Sequence, residues 1–144
     1  MEEGNPLFIF ESKYWEVVLN PNQTYLGRSV LLLKRPCGDL AEITRDEILE
    51  FFGLVKKMES MFRTSLKATM FNWACSMNDA YQEKPSHPQV HWHFIPRYDH
   101  QVEFAGKTFY DPNFGHRSIS EKTAISDEET TLLLTVLREA SLKS

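Results

Sequence analysis

Hydrophobic and polar residues alternate along the first third of the chain in the manner of short β-strands. Residues 8–19 are rich in aromatic and β-branched side chains and predict one or two strands, which the run Asn20-Pro21-Asn22 interrupts. Residues 29–34 predict a further strand, which Pro36 brings to an end. Because the connections between these segments are short, we expect the strands to pair within one antiparallel sheet.

Two segments carry the apolar spacing of three and four residues that is typical of an α-helix. Thr44 and Glu47 fit a capping box, in which a hydroxyl and a carboxylate satisfy free N–H groups where a helix begins. The apolar face that follows extends to about residue 65 and comprises Ile48, Phe51, Phe52, Val55, Met58 and Phe62. Ser126 and Glu129 repeat the capping pattern and predict a closing helix over about residues 127–141.

Two further strands are expected on either side of a polar loop at residues 79–88. Residues 69–78 and 89–95 both alternate large apolar side chains with small or polar ones. The apolar positions, which we expect to face the core, are Phe71, Trp73, Cys75, Met77, Val90, Trp92 and Phe94. Residues 96–125 contain prolines and glycines and predict irregular structure. The order of elements predicts a single α+β domain over residues 1–144 with an antiparallel sheet.

Composition narrows the class of protein without identifying one. The chain has 144 residues, of which 42% are hydrophobic and 25% charged, as is typical of a globular domain. Its net charge of −4 argues against a general binder of nucleic acids or of membrane surfaces, because such proteins usually carry a basic field. Neither a signal peptide nor a membrane-spanning run is recognised, so we expect a soluble cytoplasmic protein. Cys37 and Cys75 predict no disulfide framework.

His91 and His93 are the most informative residues of the chain. Their spacing on a strand places both imidazoles on one face, about 6–7 Å apart. Imidazole can act as nucleophile, base or acid near neutral pH, so a strand with an apolar back and a histidine front suggests the floor of a site. The residues alone leave two alternatives open. One is a structural or incidental pair, and the other is a metal site with His87 as the third ligand, since three histidines can hold zinc.

The strand that carries these histidines resembles the signature of the histidine triad (HIT) family. Residues 89–97 read Gln-Val-His-Trp-His-Phe-Ile-Pro-Arg, against a family pattern of three histidines separated by apolar residues and followed by Pro-Arg. Asn78 stands eleven residues before Gln89, where relatives carry Asn or Gln. Ser86 stands three residues before Gln89, where relatives carry Ser or Thr.

The resemblance extends upstream and covers about residues 8–98. Asn20 stands eight residues before Arg28, as an Asp or Asn of the family stands before a corner histidine that opens a strand. A capped helix follows, as it does in the family. The resemblance implies an α+β fold with an antiparallel sheet of about five strands, one long helix and a C-terminal helix, often paired as a homodimer.

The resemblance also implies a reaction and the residues that carry it. His91 matches the family's nucleophile, which attacks the α-phosphorus of a nucleotide and forms a nucleotidyl-imidazole intermediate. By the same correspondence, Gln89 and His93 complete the catalytic set, and the substrate-binding residues are Asn20 on the ribose hydroxyls, Asn78, Ser86 and Arg97. The base pocket would be walled by Phe8, Phe10 and Val18, unless these belong to the core. The scheme needs no metal and no cofactor.

Two departures from the family pattern bear on function. Gln89 replaces the first histidine, whose hydrogen bonds orient the site, and an amide can do only part of this. Arg28 replaces the corner histidine. His93 stands where the phosphorylase and uridylyltransferase branches carry glutamine, which disfavours those branches. We predict a nucleotide hydrolase or nucleotidyltransferase acting on a dinucleoside polyphosphate or phosphoramidate, with a purine-nucleotide binding or sensing protein of little turnover as the alternative.

Overall fold

Five antiparallel strands form one layer of the fold. The structure is a computed structural model that describes residues 4–117 and 123–143. The strands, in chain order, are β1 (Phe8–Glu11), β2 (Trp15–Leu19), β3 (Ser29–Leu33), β4 (Met70–Ala74) and β5 (His91–Arg97). Their order in the sheet is β1–β2–β3–β5–β4, so that β5 is an inner strand. The predicted α+β class with an antiparallel sheet is confirmed.

The two strands nearest the histidines differ slightly from the predicted ranges. β4 ends at Ala74 instead of residue 78, because its ladder with β5 stops at the pair of Ala74 and His93. β5 begins at His91 and continues through Pro96 to Arg97, which pairs with Met70. The register therefore extends β5 beyond the predicted end and gives Arg97 a place within the sheet.

A long helix, α1 (Arg45–Leu66), covers one face of the sheet. It begins after Thr44, whose hydroxyl accepts a hydrogen bond from the N–H of Glu47, while the Glu47 carboxylate accepts one from the N–H of Thr44. The predicted capping box is thus present. Apolar side chains buried between helix and sheet include Trp15, Val17, Leu31, Met58, Phe62 and Phe94. Burial of this set supplies the main stabilisation of the fold.

The opposite face of the sheet carries the histidines. Strand register places Val18, Val30 and His93 side by side across β2, β3 and β5, and it places Leu32 beside His91. We call the surface formed by these five residues the histidine face. Alternation on β5 directs Trp92 and Phe94 to the other side, where they pack against Phe51 and Phe62 of α1. The predicted division of β5 into an apolar back and a histidine front is therefore correct.

The segment predicted to be irregular contains a small hairpin of β6 (Val102–Phe104) and β7 (Lys107–Phe109). The two strands are joined by Ala105 and Gly106, both with positive φ angles of 52° and 78°. Two consecutive positive φ angles are the geometry of a tight hairpin turn. The prediction of wholly irregular structure over residues 96–125 is wrong at this point. Short 3-10 turns also occur at Leu40–Glu42 and Asp79–Gln82.

The closing helix, α2 (Asp127–Lys143), contacts α1 and β1. At its start, Ser126 and Glu129 form the predicted reciprocal hydrogen bonds, at 3.0 and 3.1 Å. Near its end, the Nε atom of Arg138 donates to the carbonyl oxygen of Phe8 at 2.7 Å. Neither helix, over the ranges that the structure describes, combines the length and the apolar character that crossing a membrane requires.

Candidate functional site

His91 is held by the main chain of its own strand. Its Nδ1 atom lies 2.8 Å from the carbonyl oxygen of Gln89, and its side chain is half-buried on the histidine face. A carbonyl oxygen only accepts hydrogen bonds, so Nδ1 carries the proton of the neutral ring and Nε2 keeps its lone pair. The local backbone therefore selects the tautomer of His91 whose Nε2 can act as a nucleophile.

His93 lies against His91, with ring centroids 4.9 Å apart and ring planes at 82°. Its Nδ1 atom is buried and has no hydrogen-bond partner among the described residues. Burial, followed by the charges of His91 and Arg28, lowers the pKa of His93 below its ordinary value of 6.5, while Asp79 acts in the opposite direction. His93 is therefore a neutral imidazole at physiological pH, able to donate one hydrogen bond to a bound group.

Arg28 brings a positive charge to the histidine face. It stands directly before β3, and its half-buried side chain is near enough for its charge to lower the pKa of His93. Its Nε atom is buried without a hydrogen-bond partner in the part of the chain that the structure describes. Burial lowers the pKa of Arg28, but an arginine stays protonated under such shifts. The site thus contains a guanidinium beside two imidazoles.

A buried glutamine, which the sequence did not single out, fixes the corner that presents Arg28. Gln23 is 1% exposed, and its Nε2 atom donates to the carbonyl oxygens of Asn20, at 2.7 Å, and of Arg28, at 2.9 Å. Its Oε1 atom accepts from the N–H of Gly27 at 2.8 Å. These three hydrogen bonds hold the loop closed. The sequence carries no pattern for this closure, because the partners of Gln23 are main-chain groups, up to five residues away, that any residue type can supply.

Asn20 lies on the same corner, beside a cavity of about 360 Å³. The cavity is lined by Asn20, Pro21, Asn22, Thr123 and Ala124. The Oδ1 atom of Asn20 accepts from the N–H of Asn22 at 2.9 Å, which fixes the side-chain amide at the rim. Asn20 therefore lines this cavity with a side chain that the turn holds in place.

The amide of Gln89 is fully engaged with the main chain of residues 33–37. Its Oε1 atom accepts from the N–H of Cys37 at 3.0 Å. Its Nε2 atom donates to the carbonyl oxygens of Leu33 and Arg35, each at 2.8 Å. The side chain of Gln89 therefore ties β5 to the segment that follows β3, while its carbonyl oxygen orients His91.

The HIT domain family matches residues 3–100 of the chain. The chain belongs to the histidine triad family. This match spans β1 to β5 and includes both histidines, Gln89 and Arg28. Comparison with curated proteins finds no match.

Solved structures of histidine triad proteins share the fold. A hypothetical histidine triad nucleotide-binding protein of Sulfolobus tokodaii superimposes with a TM-score of 0.69 at 18% identity, covering 95% of this chain and 84% of that one. A histidine triad protein of Bradyrhizobium japonicum gives 0.67 at 16% identity, covering 92% and 88%. The diadenosine triphosphate hydrolase of Plasmodium falciparum, solved with cyclomarin A, gives 0.67 at 14% identity, covering 100% and 82%.

Arg97 follows the histidine triad motif but points into a closed internal network. Its side chain is 1% exposed and forms an ion pair with Asp111. The remaining acceptors are the Oδ1 atom of Asn72, at 2.8 Å, and the carbonyl oxygens of Asn113, at 2.8 Å, and His116, at 2.7 Å. All five N–H groups of the guanidinium are used. The structure therefore assigns Arg97 an anchoring role in place of the expected contact with substrate.

Asn78 and Ser86 lie at the two ends of the loop before the histidine triad strand. Asn78 is exposed and precedes the turn at Asp79–Gln82, and Ser86 is half-buried. Neither side chain hydrogen-bonds to His91 or His93 within the described structure. Their expected contacts with substrate phosphate stay predictions.

The geometry does not support the metal alternative. Across residues 4–117 and 123–143, no group of three or more His, Cys, Asp or Glu side chains is arranged to hold a metal ion. His87, the third ligand of that hypothesis, is exposed in the loop before β5. The two imidazoles of the triad strand are therefore left to act without a third protein ligand from the described residues.

Proposed function

We propose that this histidine triad protein is an enzyme that transfers the nucleotidyl group of a nucleoside phosphate conjugate to water or to another acceptor. The observation that carries the proposal is the hydrogen bond from Nδ1 of His91 to the carbonyl oxygen of Gln89. It supports a neutral ring whose Nε2 lone pair is available, and such a ring is a competent nucleophile toward phosphorus.

The reaction proceeds in two displacements. Nε2 of His91 attacks the α-phosphorus and forms a P–N bond, while the bond from phosphorus to the leaving group breaks and the leaving group takes its electron pair. Water then attacks the same phosphorus and forms a P–O bond, while the P–N bond breaks and its electron pair returns to Nε2. The proton that the water loses passes to the solvent or to the departed leaving group, so the neutral imidazole is restored and the nucleotide departs. The covalent intermediate replaces one difficult displacement by two easier ones.

The surrounding residues have roles that follow from their chemistry. The neutral imidazole of His93 and the polar side chains of Asn78 and Ser86 supply hydrogen bonds to phosphate oxygens as negative charge develops. Asn20 binds the ribose hydroxyls. The apolar side chains of Val18 and Phe8, which are neighbours across β1 and β2, offer a surface for the base.

A binding or sensing role is the second candidate. The amide of Gln89 is occupied by main-chain groups of residues 33–37, so this position brings no titratable side chain to His91. An enzyme without that group has one fewer means of protonating a leaving group. A protein that binds purine nucleotides with little turnover would also fit this arrangement.

Trapping the intermediate separates the two candidates. The protein is incubated with a diadenosine polyphosphate or an adenosine phosphoramidate, quenched, and analysed by intact mass and peptide mapping. We expect a nucleotidyl adduct on His91 and release of adenosine monophosphate. Tight binding of nucleotide with neither an adduct nor product would establish the sensing role instead.

His91→Ala and His87→Ala form a matched pair for this experiment. His87 is exposed and lies outside the sheet, so its loss should leave adduct formation and turnover unchanged. Loss of His91 should abolish both. Equal activity of the two variants would refute His91 as the nucleophile.

Homodimer formation also stays a prediction, which sedimentation analysis of the purified protein would check.

A further inference from the structure

Arg28 is a cation at the candidate site that has no carboxylate partner among the residues that the structure describes. By contrast, Arg97 and Arg35 each form an ion pair with a buried carboxylate, that of Asp111 and that of Glu47 respectively. Arg28 forms no ion pair with any described residue, and its Nε atom is buried without an acceptor. Buried donors are nearly always satisfied, so the Nε–H group of Arg28 is a donor available to an acceptor that a ligand brings to the candidate site.

The main chain of Arg28 is fixed in position by the fold. Its own carbonyl oxygen accepts from the N–H of Asn20 at 2.9 Å and from Nε2 of the buried Gln23. Its N–H donates to the carbonyl oxygen of Tyr25 at 3.0 Å. The main chain of this residue is therefore held by three hydrogen bonds, which keeps the base of the side chain on the histidine face and lowers the cost of ordering it around an anion.

Strand register places Arg28 on the histidine face, because it stands two residues before Val30, which pairs with His93. The charge of Arg28 lowers the pKa of His93 more than the carboxylate of Asp79 raises it. The Nδ1 atom of His93 is also buried without a partner. Two nitrogen atoms without a hydrogen-bond partner among the described residues, one of them on a permanent cation, thus belong to side chains of the same face. A phosphate group supplies both the charge and the acceptor oxygens that this region lacks.

We propose that Arg28 binds the phosphate groups beyond the α-phosphorus, so that the site prefers nucleoside polyphosphates over nucleoside phosphoramidates. The preference rests on the proposed function, since it concerns the group that leaves when His91 attacks. A polyphosphate leaving group carries negative charge and gains more as its bond to phosphorus breaks, and a guanidinium stabilises both. An amine leaving group must instead take up a proton, and a neighbouring cation opposes this.

Kinetic comparison of Arg28→Gln, Arg28→Lys and Arg45→Gln tests the preference. Arg45 is exposed on α1, across the sheet from the histidine face, so Arg45→Gln makes the same change in charge away from the site. For Arg28→Gln we expect kcat/KM on diadenosine triphosphate to fall about 10- to 100-fold, as for loss of a charge-assisted hydrogen bond. On an adenosine phosphoramidate it should change by no more than about twofold, like Arg45→Gln on either substrate. Arg28→Lys should recover part of the loss.

Equal losses on the two substrates, or no loss on either, would overturn the assignment of Arg28 while leaving turnover by His91 intact. A direct binding measurement covers the case in which no substrate is turned over. Calorimetric titration with inorganic triphosphate should show binding to the native protein and to His91→Ala, and binding weakened about 10- to 100-fold in Arg28→Gln. No binding to the native protein, or unchanged binding to a folded Arg28→Gln, would reject the anion site, whereas Arg28→Lys should bind with intermediate affinity.

Discussion

Asp111 accepts two hydrogen bonds from the guanidinium of Arg97, and both side chains are 1% exposed. The same guanidinium donates to the carbonyl oxygens of Asn113 and His116. One side chain of β5 therefore holds the segment of residues 111–116 against the end of the sheet. Arg97 stands four positions after His93 on β5, which corresponds to about 13 Å along a strand. The segment that Arg97 holds therefore forms one border of the histidine face.

Replacement of Arg97 should destabilise the protein strongly. Arg97→Met keeps an apolar stem but leaves the buried carboxylate of Asp111 without its cation. Breaking a buried ion pair in this way costs about 3–5 kcal/mol in the free energy of unfolding. Urea denaturation of Arg97→Met and of the exposed control Arg45→Met would measure the difference, and the control should lose no more than about 0.5 kcal/mol. A similar, small loss for both variants would contradict the anchoring role.

The lowered pKa of His93 makes stability depend on pH in a defined direction. Because the folded state holds a proton on His93 less readily than the unfolded state, the unfolded state binds more protons below pH 6.5. The contribution of His93 is therefore fully present above this pH and is lost as the pH falls through its folded pKa. His93→Gln should flatten the decline in the free energy of unfolding between about pH 7 and pH 5, as measured by urea titration.

Arg28 should be one cause of that lowered pKa. Removing its charge in Arg28→Gln raises the pKa of His93, which NMR titration of the imidazole resonances would detect. Arg45→Gln should leave the titration of His93 unchanged, because it removes a charge from the helix on the opposite face. An unchanged His93 titration in Arg28→Gln would show that the two side chains are electrostatically independent.

Gln89 should matter for stability more than for the chemical step. Gln89→Ala leaves Cys37, Leu33 and Arg35 without their side-chain partner, and unsatisfied main-chain groups cost about 1–3 kcal/mol in the free energy of unfolding. The carbonyl oxygen that orients His91 is retained, so kcat of the folded variant should fall less than in His91→Ala. Chemical denaturation and steady-state kinetics would measure the two effects. Gln101→Ala, at an exposed position, serves as control.

Gly27 should tolerate no side chain. It adopts a φ angle of 89°, and an added Cβ would lie 2.5 Å from Cε1 of the buried Phe62. Gly27→Ala should lower the free energy of unfolding by about 2–4 kcal/mol through overpacking and backbone strain, and should displace Arg28. Gly53 is a matched control, because an added Cβ meets nothing within 4 Å there. Gly53→Ala should stabilise α1 by about 0.5–1 kcal/mol.

Local patterns were sufficient to predict the main elements of the fold. The capping box at Thr44 and the apolar spacing that follows located α1, and alternation around Trp92 assigned His91 and His93 to one face. The residues that make up each of these patterns lie close together in the sequence, so each pattern can be recognised without a structure. The hairpin at residues 102–109 is not predicted, because its strands have only three residues each and Ala105 is a residue type that disfavours the positive φ angle it adopts.

Two sets of contacts around the candidate site depend on partners that are less local in sequence. Arg97 was expected at the substrate because it follows the triad motif, but its carboxylate partner lies fourteen residues later in a segment without regular periodicity. The amide of Gln89 bonds to main-chain groups more than fifty residues earlier. Periodicity reports which face a residue occupies, whereas these bonds depend on tertiary packing.

The group that orients His91 is a peptide carbonyl, and point substitutions exchange side chains while leaving peptide groups in place. No replacement at position 89 can therefore delete the acceptor of Nδ1, short of one that bends the strand. An imidazole can give way to an amide there without loss of the reactive tautomer. The tautomer of His91 therefore depends on the path of the backbone and is insensitive to the type of side chain at position 89.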